Sequence, residues 1–247
     1  MSAIDDIVSR FGQLENDHVT PWILDDRGCD HYDVVDASGT PFLAVHCTEG
    51  GDEEKLDAAI EAINRTVVAK IRATLEGIDS TLDPAERSSA IGNEWNKRRE
   101  AFTDPGWLES FILKPEEIDE IDKLFVAHGR NDLSIKNEII KLGKWLLAKQ
   151  EDPSISPAPI RLKEIIERGY LKLEDLGLEE TAFEQIMHDF YLKSAKHFLQ
   201  LARGTGEEKA IDPPSMWIGA QVMMDKGRLS AEEVGITSEE MATHFKK

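Results

Sequence analysis

Residues 20–77 read TPWILDDRGCDHYDVVDASGTPFLAVHCTEGGDEEKLDAAIEAINRTVVAKIRATLEG, and this stretch decides the fold class of the chain. Its first apolar segment is 21–24, and two further segments, 32–36 and 42–46, flank the turn sequence DASG at 36–39. Asp favours the opening of such a turn and Gly accepts positive φ at its end. The stretch therefore predicts a three-stranded antiparallel sheet.

The same stretch continues into a helix that covers the sheet. After Gly50-Gly51, apolar side chains recur every three or four residues, which predicts one helix that ends at Gly77. The apolar stripe consists of Leu56, Ile60, Ile63, Val67, Ile71 and Leu75. The fold class expected is α+β: a small antiparallel sheet with its covering helix at the N-terminus, followed by a mainly α-helical body.

The remaining sequence has the pattern of helices joined by short connectors. Residues 3–14 are expected to form a first helix capped by Ser2, and Asp83-Pro84-Ala85-Glu86 combines an N-cap, a proline at the first helical position and a glutamate at the third. Further helices begin at Lys114-Pro115 and after Ser134. Prolines at 153, 157 and 159 indicate a linker. We expect an acidic α/β module at 1–80, a helical segment at 81–152 and a C-terminal helical domain at 153–247.

An internal repeat with an offset of 58 residues lies in the last third of the chain. Residues 165–178 align with 223–236, and each copy has the pattern of a helix, a glycine, an acidic turn, a second glycine and a new helix. Gly169 and Gly227 are expected to end their helices in the left-handed region. Ser230 with Glu233, and Thr237 with Glu240, have the spacing of capping boxes. Such helical corners are usually structural.

Charge and composition limit the classes of function. The 247 residues are 40% hydrophobic, enough to bury a core, and contain no apolar run of membrane-spanning length. The first residues are acidic rather than basic, and two cysteines make no disulfide framework, so a cytoplasmic protein is expected. The net charge is −19, and residues 1–80 hold 17 acidic and 6 basic side chains. This field repels nucleic acid and membranes and attracts basic protein surfaces, unless it serves solubility alone.

The best metal-ligand candidates are Cys29, His31, His46 and Cys47. A hairpin bulged at Gly39 would pair Asp36 with Thr40, Val34 with Phe42 and Tyr32 with Ala44, and would turn His46 away from the other three candidates. Tetrahedral zinc needs four converging ligands. This register therefore predicts ordinary strand residues and a purified protein without tightly bound metal.

Two other motifs have both a functional and a structural interpretation. The Trp95–Arg99 segment, WNKRR, is a basic cluster that could contact phosphates or form a solvated helix face. Met216, Trp217, Met223 and Met224 could form an adaptable binding surface, although core packing is the preferred interpretation. The sequence contains no phosphate-binding glycine loop, nucleophile elbow or kinase motif. We therefore expect a protein that is not an enzyme and needs no cofactor.

Parts of residues 20–70 resemble the Ead/Ea22-like proteins of bacteriophages. The resemblance lies in Thr20-Pro21-Trp22, the VVDASG hairpin at 34–39, AVHC at 44–47 and AAIEAINRTVV at 58–68. It covers about a fifth of the chain. It implies a phage or prophage accessory gene that works in the bacterial cytoplasm, and it brings no catalytic residues with it.

Charge and resemblance together predict a protein that binds a host or defence-system protein and inhibits or modulates it. The surface bound would be basic and would normally hold nucleic acid. The residues expected to bind the partner are Asp25, Asp26, Asp30, Asp33, Glu49, Asp52, Glu53 and Glu54. The alternatives are a phage enzyme or structural protein whose site is scattered along the sequence, and a DNA-contacting regulator that uses the Trp95–Arg99 segment. Self-association is left open.

Overall fold

The computed structural model describes residues 3–48, 50–103, 112–149, 158–205 and 212–245. In order along the chain, the elements are α1 (Ala3–Leu14), β1 (Ile23–Gly28), β2 (His31–Val35), β3 (Pro41–His46), α2 (Asp52–Asn64), α3 (Val67–Glu76), α4 (Pro84–Thr103), α5 (Pro115–Ala127), α6 (Ile135–Ala148), α7 (Ala158–Glu167), α8 (Leu173–Leu176), α9 (Glu180–Arg203), α10 (Pro213–Gly227), α11 (Ala231–Val234) and α12 (Ser238–His244). The fold is α+β, with a small antiparallel sheet near the N-terminus and helices after it, as predicted. Among the described residues, no helix has the length and apolar composition needed to cross a membrane.

The chain divides into two compact units. The first contains residues 1–143 and 167–171, and the second contains 144–166 and 172–247. The three segments expected from the sequence stay a prediction.

In the first unit, the strands lie in the order β1-β2-β3 and every neighbouring pair is antiparallel. One face of the sheet packs against α1 and α2. Buried side chains from both helices and the sheet form this core: Ile4, Phe11, Trp22, Tyr32, Val34, Val45, Cys47, Leu56 and Ile60. Trp22 is fully buried and lies edge-on to Phe11, with ring centroids 5.5 Å apart. The predicted first strand began at Pro21, whereas β1 begins at Ile23.

The register of the β2–β3 hairpin corrects the prediction from sequence. The turn itself forms as expected, since the amide of Asp36 donates to the Thr40 carbonyl at 3.0 Å and Gly39 has φ +78°. Val34 nevertheless lies opposite Leu43, not Phe42, and Val35 lies opposite Pro41. Phe42 is the extra residue, so the bulge lies in β3 and not at Gly39. A shift of one residue exchanges the two faces of the strand after it.

Phe42 occupies this bulge because it packs on two aromatic rings. Its ring stacks on His18 at a centroid distance of 4.0 Å and lies 4.8 Å from Trp22. Because Phe42 is an extra residue, the side chains after it in β3 change faces. Val45 therefore joins Tyr32 on the core face, while Ala44 is exposed. The prediction that Phe42 pairs with Val34, and Ala44 with Tyr32, was wrong.

The predicted covering helix is interrupted. It divides into α2 and α3 because Asn64 bonds away from the helix: its Oδ1 accepts from the Trp22 amide and its Nδ2 donates to the Trp22 carbonyl, both at 2.7 Å. Thr66 then closes a tighter turn through its amide and hydroxyl, which both donate to the Ile63 carbonyl. The apolar stripe survives the break, since every member except Ile63 is buried.

The starts of the next helices follow the predicted capping pattern. The carboxylate of Asp83 accepts from the amides of Ala85 and Glu86, at 2.7 and 2.9 Å. The hydroxyl of Ser134 accepts from the Asn137 amide at 3.1 Å. The predicted cap Ser2 of the first helix lies outside the described residues.

The second unit is built around α9 and α10, which run antiparallel. Two glycines of α10 let the helices approach: a Cβ built on Gly219 would lie 2.9 Å from the Phe198 ring, and one on Gly227 would lie 2.6 Å from Tyr191 Cβ. Alanines 195 and 220 are fully buried in the same core. Trp217 and Met224 are buried there and Met223 packs against them, which confirms the preferred interpretation for these three residues, whereas Met216 is half-buried.

The glycine of each repeat copy has a different role. Gly169 has φ +82°, which confirms its predicted left-handed position. Gly227 is not in the left-handed region, because it is the last residue of α10. The next residue, Arg228, takes the left-handed conformation with φ +51°. The prediction for Gly227 was therefore wrong, because close helix packing explains the glycine there. The second glycines, Gly177 and Gly235, have φ +70° and +80° in the same position of each copy.

Candidate partner-binding surface

The β1–β2 turn carries several of the predicted acidic residues. Gly28, Cys29 and Asp30 all have positive φ, at 81°, 56° and 62°, and Cys29-Asp30 form a two-residue turn of the mirror-image type that suits antiparallel strands. The side chain of Asp26 accepts from the Gly28 amide at 2.7 Å, which supports the turn. The turn holds the exposed carboxylate of Asp30 at the end of the sheet.

The end of β3 joins this turn to the start of α2. The Cys47 amide donates to the Asp30 carbonyl at 2.9 Å. Burial raises the pKa of the Cys47 thiol, and four carboxylates raise that pKa further: Asp52, Glu53, Asp30 and Asp57. Carboxylates that lie about 25 residues apart in the sequence therefore act on one buried thiol, and the hairpin turn and the first turns of α2 form one acidic region.

The environment of Tyr32 also shows that carboxylates of the hairpin turn and of α2 lie close together. A hydrogen bond from its phenol to the Glu53 carboxylate raises the pKa of Tyr32 to about 12, with burial and the negative charges of Glu53 and Asp26 adding to the effect. Burial and the neighbouring Glu53 likewise raise the pKa of Asp57. We define the acidic surface as Asp26, Asp30, Glu53 and Asp57, which are all exposed.

The other residues predicted to bind a partner have different environments. Asp25 and Asp33 both pair with Arg27, at 3.1 and 2.9 Å, so one arginine within the sheet partly offsets these two charges. Asp52 is buried at the first position of α2, with Lys55 3.7 Å away, whereas the sequence interpretation had it exposed. Glu54 is exposed in the first turn of α2, and Glu49 lies outside the described residues. Asp57 was not predicted, although its place one turn after Glu53 could have indicated it.

A groove of about 490 Å³ lies beside the acidic surface. It is lined by the apolar side chains of Trp22, Ile23, Leu24, Ile60 and Ile112 and by the polar or charged side chains of Asp57, Glu61, Asn64, Arg65 and Arg168. The Arg65 guanidinium donates to Glu61 at 2.7 Å and to Glu117 at 3.0 Å. The hydrogen bond that Glu61 accepts from Arg65 lowers the pKa of Glu61. Arg65 therefore links the end of α2 to Glu117 at the start of α5.

The four metal-ligand candidates do not assemble into one centre. Within the described ranges, no group of three or more His, Cys, Asp or Glu side chains is placed to hold a metal ion. The prediction that the hairpin register turns His46 away from the other candidates was nevertheless wrong. His46 lies directly opposite His31, and both are exposed on the same face of the sheet. Cys29 is exposed and Cys47 is buried. The expectation of no tightly bound metal stays a prediction.

The Trp95–Arg99 segment is divided between the interior and the surface, with Asn96, Lys97 and Arg99 exposed. Trp95 is buried and lies edge-on to Phe125, with ring centroids 5.7 Å apart. Arg98 is buried with Glu94, to which it donates at 2.8 Å, and it also donates to the Thr20 carbonyl. Desolvation lowers the pKa of Arg98 despite this partner. The aromatic ring and one of the three basic groups are therefore unavailable to a phosphate backbone.

Comparison of the chain with protein-family models, curated proteins and solved structures finds no significant match.

Proposed function

We propose that this chain is a phage- or prophage-encoded accessory protein of the bacterial cytoplasm. It binds a host or defence-system protein through the acidic surface and inhibits or modulates that protein. The observation that supports the proposal is the convergence of the hairpin turn and α2, which places Asp26, Asp30, Glu53 and Asp57 around Cys47 and Tyr32. The resemblance of residues 20–70 to phage proteins supports the origin.

The acidic surface suits a basic partner. Like charges held close together raise one another's energy, and a cationic surface relieves that repulsion on binding. Complementary charge chiefly raises the association rate and weakens as salt screens it. A basic surface that normally holds nucleic acid fits this chemistry, because acidic side chains and phosphates compete for the same Lys and Arg side chains. Such a binder would act by occupying that surface.

The alternative of a DNA-contacting regulator has less support, because Trp95 and Arg98 are buried. The enzyme alternative rests on the groove beside α2. Two carboxylates line this groove, and the pKa of Asp57 is raised while that of Glu61 is lowered. The binding proposal is preferred because it uses the acidic excess of residues 1–80.

The test compares two isosteric variants with equal changes in net charge. The surface variant carries D26N, D30N, E53Q and D57N, and Asn tolerates the left-handed conformation at residue 30. The matched control carries four exposed changes in the second unit: E174Q, E179Q, E184Q and E239Q. Each is used to capture proteins from host lysate at low and high salt, and the captured partner is then purified for kinetic measurement.

We expect the wild type and the control to capture the same partner at low salt and to lose it at high salt. The surface variant should associate with that partner at least tenfold more slowly. The partner should also release bound nucleic acid when wild-type protein is added. Equal capture by the surface variant at every salt concentration would show that the acidic surface does not bind the partner.

A further inference from the structure

The corrected register places two histidines side by side on the exposed face of the sheet. His31 of β2 lies directly opposite His46 of β3. Their rings are stacked, with centroids 4.2 Å apart and planes inclined by 23°. At the other end of this face, Ile23 and Val35 pack near Ala101 of α4, whereas both histidines are exposed. The pair is therefore held on a rigid scaffold and is open to solution.

The proton of His31 is placed by the turn next to it. Nδ1 of His31 lies 2.8 Å from the Cys29 carbonyl, which can only accept a hydrogen bond. Nδ1 therefore carries the proton, and the neutral ring keeps its lone pair on Nε2. Metal-binding histidines are commonly oriented in this way, with the second ring nitrogen donating to a backbone carbonyl.

The two opposed side chains lie close enough to reach a shared metal ion. Imidazole nitrogen binds Zn²⁺ at about 2.0–2.1 Å, so two nitrogens on one ion lie at most about 4.2 Å apart. Directly opposed residues of an antiparallel pair have Cβ atoms about 4.5–5.5 Å apart, which leaves both rings within reach of one ion. His31 can keep its hydrogen bond to the Cys29 carbonyl, while the exposed side chain of His46 changes rotamer and brings its lone pair to the ion held by Nε2 of His31.

We propose that His31 and His46 together bind one divalent transition-metal ion of the kind that prefers imidazole, such as Zn²⁺ or Ni²⁺. Water fills the remaining coordination positions, because no third protein ligand is grouped with the pair in the described part of the chain. Binding by two side chains is exchangeable, unlike a four-ligand structural zinc site. The bound ion links β2 to β3 and places a positive charge on an acidic part of the molecule.

Zn²⁺ titration of the full-length chain, prepared without a polyhistidine tag, tests this site. The variants are H31Q, H46Q and the double variant. The matched control is H188Q, because His188 lies 3.3 Å from Glu233 and 3.7 Å from Asp189 and so offers an imidazole beside carboxylates outside the sheet. Calorimetry measures stoichiometry and affinity, and a second titration with Ca²⁺ separates imidazole binding from binding by carboxylates.

We expect the wild type and H188Q to bind one Zn²⁺ with equal affinity, and each sheet variant to bind at least tenfold more weakly. Ca²⁺ in excess should not displace the Zn²⁺. Paramagnetic Ni²⁺ should broaden the His31 and His46 ring resonances first in the wild-type NMR spectrum. Unchanged affinity in H31Q and H46Q, loss of binding in H188Q alone, or displacement by Ca²⁺ would each overturn the proposal.

Discussion

The two copies of the repeat have a glycine at the same aligned position for different physical reasons. Gly169 has φ +82°, and a Cβ there would only touch Pro115 at 3.8 Å. Gly227 is an ordinary helical residue whose added Cβ would lie 2.6 Å from Tyr191 Cβ. The first glycine is needed for its backbone conformation and the second for space. An aligned glycine therefore does not by itself reveal which constraint preserves it.

The downstream half of the two copies is nearly the same. The amide of Leu178 donates to the Leu173 carbonyl at 3.0 Å, and that of Ile236 donates to the Ala231 carbonyl at 2.8 Å. Both turns end at a glycine with positive φ, Gly177 or Gly235. Local hydrogen bonding thus determines this half, whereas the packing of α10 against α9 determines the upstream half of the second copy.

The strongest way to test this difference is to compare alanine at the two aligned glycines. G227A should lower the free energy of unfolding by about 2–3 kcal/mol, because a well-packed helix contact must open to admit the methyl group. G169A should lower it by about 1 kcal/mol, the usual cost of a side chain in the left-handed region. Thermal and urea denaturation of both variants measures the two costs.

Asparagine provides the control, since it tolerates the left-handed conformation but is larger than alanine. G169N should be less destabilised than G169A, whereas G227N should be at least as destabilised as G227A. If asparagine restored stability at residue 227, backbone conformation and not space would be the constraint there.

The helix that follows the second copy also forms an ion pair that the helix after the first copy cannot form. Nε and Nη2 of Arg203 each donate to the Glu240 carboxylate at 2.8 Å, and Nη2 donates to the Gly235 carbonyl as well. The residue aligned with Glu240 in the first copy is Ala182. The hydrogen bond from Arg203 lowers the pKa of Glu240 to about 2.

Because the pKa of Glu240 is depressed on folding, its stabilisation is present above the unfolded value of about 4.5 and is lost as the pH falls toward 2. E240Q should destabilise the protein by about 1 kcal/mol at pH 7. The difference from wild type should shrink between pH 4.5 and 2, as measured by thermal denaturation across that range. A difference that is constant with pH would contradict the role assigned to the ionised carboxylate.

The smallest expected difference concerns the caps of the two short helices. Ser230 accepts from the Glu233 amide at 3.2 Å, and the Glu233 carboxylate accepts from the Ser230 amide at 2.7 Å. In the first copy, Asp175 accepts from the Lys172 amide at 3.0 Å, and a lysine side chain has no acceptor to return. S230A should lower the free energy of unfolding by about 0.5–1 kcal/mol, and K172A should lower it by less than half of that amount. Equal losses in urea denaturation would mean that the hydroxyl of Ser230 contributes nothing as a cap.

Local patterns predicted much of the fold because they depend on short-range physics. The bounds of α1, the starts of α4 and α5 and the turn at 36–40 follow from apolar periodicity, capping and the preference of Gly39 for positive φ. The hairpin register did not follow, since Phe42 leaves the alternation to pack on His18 and Trp22. Nothing in the alternation of 41–46 indicates which residue will be the extra one.

Local sequence patterns also predicted only part of the candidate partner-binding surface. The sequence identified the charge excess and most of its residues, but the pairing of Arg27 with Asp33 depends on a cross-strand neighbour. The contribution of Asp57 depends on where α2 lies relative to the turn, which its own periodicity cannot specify.

The sequence by itself determined the α+β class, the positions of most elements, the acidity of the first eighty residues and the capping of the repeat. Each of these depends on residues within about one turn of one another, or on composition alone. Only the tertiary structure decided the bulge at Phe42, the break after Asn64, the role of Gly227 and the pairing of His31 with His46. These features depend on contacts between segments distant in sequence, where close packing selects one arrangement among several that local preferences allow.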